Sequence, residues 1–221
     1  MDFIPSDSVL FHFLPVLLAI TLHEAAHGYA ARHFGDPTPL EEGRLTLNLL
    51  RHISIIGTII VPTILLISPL RIPFGYARPM PFDVSRFRHP KRDMFWVALA
   101  GPAANLAMLL FWATVMKLLW VLPVTPLSPY LYEMSKAGLR ANLVLMGLNL
   151  VPLPHPLLDG GGIVVSLLPP KMVEGFARVE HFVLRWPLLQ ILLLGILLWL
   201  LLPVLQWLWE FIPIVFQMPN A

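Results

Sequence analysis

The sequence predicts an all-α, multi-pass membrane protein, a helical bundle of about four to six membrane segments with a small membrane-associated β-sheet or hairpin. Two observations predict this class. Of the 221 residues, 57% are hydrophobic and only 13% are charged, whereas soluble domains carry about 25% charged residues. In addition, apolar stretches close to the roughly 20 residues that cross a bilayer recur along the chain.

Five long apolar stretches and one shorter stretch define the predicted membrane segments. The long ones fall at roughly 8–31, 53–70, 94–122, 134–152 and 186–209, and the shorter one at 157–168. Pro152, Pro154 and Pro156 precede the shorter stretch, and because proline breaks helices, we expect irregular backbone over 149–160. Such backbone is tolerated at membrane depth only where protein or a watery cavity satisfies it. This part of the chain is therefore a candidate wall of an internal site.

The distribution of Arg and Lys predicts how the chain is oriented. Segments 71–93 and 32–52 are basic and should be cytoplasmic, whereas 123–133 has no Lys or Arg and should lie outside. Because both basic segments then share a side, 53–70 should be a re-entrant hairpin. The alternative is a full span with a basic loop outside.

Composition also limits the class of protein. We interpret residues 1–221 as one domain, with a core at 8–168 and a C-terminal membrane helix at about 186–211. Cysteine is absent, which excludes disulfides and thiolate metal sites. The net charge is +2 and the basic residues cluster in particular loops, so a nucleic-acid partner is not expected.

Two short pieces are predicted as strands. "GRLTLN" (43–48) alternates apolar and polar residues, and "FGYARPMPF" (74–82) mixes aromatic residues with Gly and Pro. Together they would form a small sheet near the site. Its free edge could pair with an extended peptide.

A metal-binding pattern lies in the first apolar stretch, within "TLHEAAHGYAARHFGD" (21–36). His23 and His27 are four residues apart, and Glu24 follows the first of them. Positions i and i+4 lie on the same helix face, so both imidazoles can bind one Zn²⁺. H-E-x-x-H is the pattern of zinc metalloproteases, in which the glutamate is the general base that takes a proton from the zinc-activated water.

The membrane setting strengthens this interpretation. At about 1.5 Å per residue, His23 lies roughly 13 Å before Arg32, the first residue expected to reach lipid headgroups. Ionisable residues at such depth cost at least about 2.5 kcal/mol each and usually have a function. A metal site is therefore favoured over a chance match.

A catalytic zinc needs a third protein ligand, and "NLVPLPHPLLDGGG" (149–162) offers one. Asp159 is an isolated carboxylate between apolar runs, followed by three glycines that allow close backbone approach. Its alternative role is a helix N-cap, and His155 is a competing ligand. Asn149 could donate a hydrogen bond to the scissile carbonyl or its oxyanion, or satisfy the broken backbone.

Later polar residues have simpler expected roles. Gly101 and Asn105, four apart in "AGPAANLAML", form a small-and-polar face for which helix packing is favoured over substrate contact. The role of His52 stays open between site lining and an unassigned structural role.

These motifs together resemble the site-2 protease family of intramembrane zinc metalloproteases. HEAAH in a membrane helix, "AGPAAN" (100–105) and the downstream Asn-Pro-Pro-Asp-Gly stretch carry the resemblance, and "GRLTLN", "RHISIIGT" and "GYARPMP" are similar to a compact prokaryotic branch. The likeness extends from residue 21 to about 165. It implies one Zn²⁺ held by His23, His27 and Asp159, Glu24 as base, Asn149 as a substrate-positioning group, and a site that opens toward the cytoplasm.

The sequence departs from the family pattern at one place. Asp159 follows Asn149 by ten residues, about two more than the family usually has, as though two residues were inserted near His155-Pro156. The expected function is intramembrane hydrolysis of peptide bonds in transmembrane or membrane-anchored proteins, with the lipid bilayer as surroundings and a homo-oligomer left open. The alternative is a metal-ion transporter or metal-sensing membrane protein. An inactive relative that acts as a chaperone is a third alternative.

Overall fold

The structure is a computed structural model, and it describes residues 6–60, 77–155 and 158–216. In these ranges the chain forms seven α-helices, which we number in chain order. They are α1 (Ser6–His33), α2 (Thr38–Glu41), α3 (Pro90–Val121), α4 (Ser128–Asn149), α5 (Asp159–Leu167), α6 (Pro170–Leu184) and α7 (Pro187–Val215). Short 3₁₀ turns cover Leu49–Arg51 and Val84–Arg86, and a π-helical piece covers Ile55–Ile60.

Proline determines many of the helix boundaries. α3, α6 and α7 each begin with proline. The fixed φ angle of proline suits the first helical turn, and the N–H group that proline lacks would have no intrahelical acceptor at that position. α3 ends one residue before Leu122-Pro123, and α4 ends shortly before Pro152, as expected for residues preceding proline. The irregular segment predicted over 149–160 is confirmed at its described residues, because no helix covers 150–155 or 158.

The centre of the fold is a three-helix bundle of α1, α3 and α4, and α5 packs against α3. Its largest apolar cluster lies between α3 and α4 around Trp112, which is 3% exposed. α7 contacts this bundle through α4 and contacts α6, but it covers much less of the bundle than the central helices do. The predicted site residues on α1 and α5 lie against the same helix, α3, so the internal site lies among these three helices.

Two of the predicted membrane segments have membrane-spanning character among the described residues. α3 and the 195–212 part of α7 are each long and apolar enough to cross a bilayer. The proposed re-entrant hairpin at 53–70 is described only through residue 60, where Ile55–Ile60 is π-helical. The rest of that prediction lies outside the described residues.

The predicted β-sheet is wrong for the residues that the structure describes. Residues 43–48 contain no strand, nor do 77–82, and 74–76 lie outside the described ranges. Local hydrogen bonds take the place of a ladder: the Leu45 N–H donates to Pro39 O at 3.0 Å, and the Leu50 N–H donates to the Asn48 side chain at 3.1 Å. Side-chain acceptors of this kind compete with regular structure.

A buried carboxylate ties together the ends of α1 and α3. Asp36 is fully buried just after α1. Its Oδ1 accepts from the Thr38 N–H at 2.9 Å, and its Oδ2 accepts from the Asp83 N–H at 2.7 Å. The Arg88 N–H donates to Phe34 O at 3.1 Å nearby. These bonds fix the segment that leads into α3 against the end of α1.

Candidate metal centre

The two histidines of HEAAH face the interior of the bundle. His23 and His27 are 6% and 5% exposed, and their rings meet edge to face with centroids 4.7 Å apart. The two Nε2 atoms are 3.2 Å apart. The one-turn spacing on α1 therefore brings both imidazoles to one point, as the sequence predicted.

Asp159 reaches the same point from the first turn of α5. Its Oδ1 is 3.1 Å from His27 Nε2, and its Oδ2 is 3.2 Å from His23 Nε2. Leu158 is the N-cap residue of α5, so the alternative role of Asp159 as the N-cap is wrong. We call these three residues the His–His–Asp cluster; one ligand atom from each lies within 4.8 Å of the others.

Glycines after Asp159 make this approach feasible. A Cβ on Gly160 would overlap the main-chain carbonyl oxygen of Val151, and a Cβ on Gly161 would lie 2.7 Å from Leu153 O. Backbone atoms cannot move aside as a flexible side chain can. The glycine run is therefore required for α5 to dock on the irregular segment and carry Asp159 to the histidines.

The outer nitrogens of both imidazoles have hydrogen-bond acceptors. His27 Nδ1 lies 2.7 Å from the carbonyl oxygen of Val97, and His23 Nδ1 lies 2.6 Å from Asn105 Oδ1. A carbonyl oxygen only accepts, so each Nδ1 carries the proton and donates it. In a neutral imidazole, Nε2 then has a lone pair and no hydrogen.

With both imidazoles neutral, the inner face of the cluster consists of acceptors alone. Two Nε2 lone pairs and two carboxylate oxygens converge, and Asp159 Oδ2 is buried without a hydrogen bond. Acceptors packed this closely repel one another unless a cation lies between them. Two imidazoles and one carboxylate are a ligand set of catalytic zinc sites, so the residues fit Zn²⁺.

Gly101 of α3 forms the wall opposite these ring nitrogens. A Cβ at this position would overlap His27 Nε2 and would lie 2.6 Å from His23 Cε1. The sequence predicted a close helix approach at Gly101, and that approach brings α3 against the histidines of α1. No larger residue fits without moving the imidazoles.

Glu24 lies beside the cluster and is half-buried. The buried Arg44 is close enough for electrostatic influence: burial and Arg78 lower the pKa of the Arg44 guanidinium, and Glu24 opposes that shift. Arg44 donates to Arg78 O at 2.8 Å. These contacts place a positive group from the segment after α2 within range of the Glu24 carboxylate.

The described residues of the two segments predicted as strands, 43–48 and 77–82, lie against α1 next to His27, although they are not strands. A Cβ on Gly28 would be 3.2 Å from Leu45 Cδ1 and 3.2 Å from Met80 Sδ. The Arg44 side chain donates to Arg78 O at 2.8 Å, which joins the two segments. Their predicted proximity to the site is therefore retained in a non-strand conformation.

Other residues considered from the sequence are not part of the His–His–Asp cluster among the described residues. The Asn149 amide donates to Leu145 O in its own helix at 3.0 Å. His155 is buried on the irregular segment. His52 is fully buried and its Nε2 contacts Thr46 O at 2.8 Å.

The sequence did not indicate the hydrogen-bonding roles of Asn105 and Asn142. Asn105 was assigned to helix packing, but it contacts His23 directly, and its Nδ2 donates to Asn142 Oδ1 at 3.2 Å. The available signal was a polar amide one turn after Gly101 in an apolar helix. Nothing local in the sequence indicates which residue it contacts.

A helical bundle with two helices long and apolar enough to cross a membrane, together with a buried His–His–Asp cluster, is the arrangement expected of a membrane protein with a metal site. Two curated proteins are similar to this chain. "Putative zinc metalloprotease YwhC" of Bacillus subtilis is 33% identical over 172 residues, which cover 76% of this chain and 74% of that protein. "Putative zinc metalloprotease Rip2" of Mycolicibacterium smegmatis is 25% identical over 175 residues, which cover 75% of this chain and 60% of that protein.

Both relatives are members of the site-2 protease family. The identity and coverage of the first match show that this chain belongs to the site-2 protease family. The resemblance noted from the motifs is thereby confirmed. No family model matches the chain, and no solved structure matches it significantly.

Proposed function

We propose that this protein is an intramembrane zinc endopeptidase that hydrolyses peptide bonds within or near transmembrane helices of other membrane proteins. The observation that carries the proposal is the all-acceptor inner face of the His–His–Asp cluster on the HEAAH helix. The whole described chain would act as one intramembrane protease domain. Regulated intramembrane proteolysis is the process that such an activity would serve.

Each residue of the proposed site has a defined task. His23, His27 and Asp159 would hold one Zn²⁺, which supplies Lewis-acid activation of water and of the scissile carbonyl. The Glu24 carboxylate would accept a proton from the attacking water and return it to the leaving amine nitrogen. Water adds across the C–N bond in this way, with oxygen to carbon and hydrogen to nitrogen.

Substrate recognition requires an unwound segment. The peptide carbonyls of a helix are engaged in i→i−4 hydrogen bonds, so a transmembrane substrate would have to unwind locally before hydrolysis. Residues 44–48 and 77–80, which pack over α1 beside His27, would hold the unwound strand. Asn149 would position the substrate after its amide leaves Leu145 O. The site would open toward the cytoplasm, the side of the basic segments.

Metal content is the direct test of this proposal. Purified wild-type protein should contain one zinc per chain by mass spectrometry of the metals, and Asp159→Ala and His27→Ala should lose it, because each removes one of three ligands. Glu174→Ala, which removes an exposed carboxylate on α6, is the matched control and should keep zinc. A wild-type protein without zinc, or an Asp159→Ala variant with full zinc, would overturn the ligand assignment.

Reconstituted vesicles distinguish the protease from the alternative transporter. The proposed enzyme cleaves a membrane substrate in a zinc-dependent manner and moves no zinc across the bilayer. Zinc flux without cleavage would favour the transporter.

α6 indicates how the protein lies in the bilayer. Met172, Val179 and Phe182 form an exposed apolar stripe of α6 at helical spacing. A charged stripe of exposed residues, Lys171, Glu174 and Arg178, runs beside it. A helix with adjacent polar and apolar faces lies in the membrane interface. We therefore propose that α6 lies along the membrane surface and leads into α7.

Spin labels can locate this boundary, because the chain has no native cysteine. A label at Val179→Cys should be more accessible to oxygen, which concentrates in lipid. A label at Arg178→Cys, the adjacent position on the charged stripe, should be more accessible to a water-soluble nickel chelate. Equal nickel accessibility at the two positions in vesicles would show that the helix does not lie at the interface.

A further inference from the structure

We propose that Asn105 and Asn142 form a hydrogen-bonded relay that positions His23 for metal binding, so that the affinity of the centre depends on two side chains that do not touch the ion. This proposal rests on the proposed zinc site. The relay runs from His23 on α1 through Asn105 on α3 to Asn142 on α4. It ends on the main-chain oxygen of Gly138, which accepts from Asn142 Nδ2 at 2.8 Å.

The fixed end of the relay determines the orientation of both amides. Gly138 O can only accept, so the Asn142 nitrogen must face it and Asn142 Oδ1 must face away. That oxygen lies 3.2 Å from Asn105 Nδ2, so the Asn105 nitrogen donates to it. Asn105 Oδ1 is then directed at His23 Nδ1, 2.6 Å away. The sequence of bonds consequently selects the His23 tautomer whose Nε2 lone pair faces the cluster.

Burial makes this arrangement independent of solvent. Asn105 is 1% exposed, Asn142 is fully buried and His23 is 6% exposed. A buried amide without partners is costly. Here the Oδ1 and Nδ2 atoms of both Asn105 and Asn142 are hydrogen-bonded. No other hydrogen-bond acceptor contacts His23 Nδ1 among the described residues.

His27 provides an internal comparison. Its Nδ1 donates to the main-chain oxygen of Val97, which no substitution removes. His23 depends on a side chain instead. Partners that accept from the outer nitrogen of a metal-bound histidine raise its basicity, and their loss typically weakens metal binding by about 10–100-fold.

The test measures zinc affinity by competition with a chromophoric chelator at one pH. Asn105→Leu should weaken zinc binding by about 10–100-fold, because His23 Nδ1 loses its acceptor. Asn105→Asp keeps an acceptor oxygen and should bind zinc more tightly than Asn105→Leu. Asn142→Leu should have a smaller effect, since the Asn105 amide is still present but is free to rotate.

The double variant separates a relay from two independent structural effects. If Asn142 acts only through Asn105, then Asn105→Leu/Asn142→Leu should bind zinc as Asn105→Leu does, whereas independent effects would multiply. Ser135→Ala is the matched control. It removes a buried hydroxyl that donates to Leu131 O in α4, and it should leave zinc affinity unchanged.

A second measurement reports on the metal's surroundings. Cobalt-substituted Asn105→Leu should show a shifted visible absorption relative to wild type, and Ser135→Ala should not. Wild-type affinity and spectrum in Asn105→Leu, or multiplied losses in the double variant, would overturn the relay while the zinc site stands. A wild-type protein that binds no zinc would overturn both proposals.

Discussion

Replacing Glu24 by glutamine should lower the rate of substrate cleavage by about 10²–10⁴-fold, the range that general acid–base catalysis contributes, and should leave one zinc bound per chain. Glutamine has nearly the same shape but cannot accept the proton of the attacking water. Glu24 is adjacent to His23 in sequence but is not a member of the His–His–Asp cluster. Cleavage of a purified transmembrane substrate, together with metal content, measures both quantities.

Glu42→Gln is the appropriate control for this experiment. Glu42 is exposed and, like Glu24, acts on the pKa of Arg44, so its replacement makes the same change of charge outside the site. It should retain wild-type activity. A Glu24→Gln protein that cleaves at the wild-type rate would remove Glu24 from the role of base, whatever its zinc content.

Replacing Gly101 by alanine should weaken zinc binding while the protein stays folded. Alanine is favoured over glycine inside a helix by about 0.5–1 kcal/mol, so α3 itself should not suffer. The added methyl group, however, would occupy the space of the His27 ring and lie 2.6 Å from His23 Cε1. Overpacking costs about 1–3 kcal/mol, which corresponds to roughly 5–150-fold weaker zinc binding.

Gly195→Ala separates a local clash from a general effect of glycine replacement. Gly195 lies in α7, and a Cβ there meets no atom within 4 Å, so this variant should bind zinc like wild type. Zinc titration and thermal unfolding of both variants give the comparison. Full zinc affinity in Gly101→Ala would mean that the imidazoles can withdraw from α3 and that the wall is not rigid.

The sequence predicted those features that depend on local spacing or on proline. His23 and His27 were predictable because one helical turn places them together, and the irregular segment before Asp159 was predictable because prolines interrupt it. The candidacy of Asp159 as a third ligand followed from the cost of a lone carboxylate among apolar residues, and the structure places it beside both histidines. Each of these inferences needed only a short stretch of chain.

Features that depend on distant contacts were missed or misassigned. Asn105 contacts a histidine 82 positions earlier in the chain and an asparagine 37 positions later, and no local pattern specifies either partner. The strand predicted at 43–48 was wrong because alternation there is short, while the carbonyl of Pro39 and the side chain of Asn48 accept the nearby N–H groups. The backbone N–H groups of Leu45 and Leu50 are therefore hydrogen-bonded to local acceptors and not to a neighbouring strand.

The distribution of the His–His–Asp cluster along the polypeptide has a consequence for biosynthesis. The histidines are on α1, whereas Asp159 is synthesised only after the long helices α3 and α4. A ribosome-bound chain that lacks α5 therefore cannot complete the centre. The proposed protease would gain its metal centre only after α5 has packed against α3.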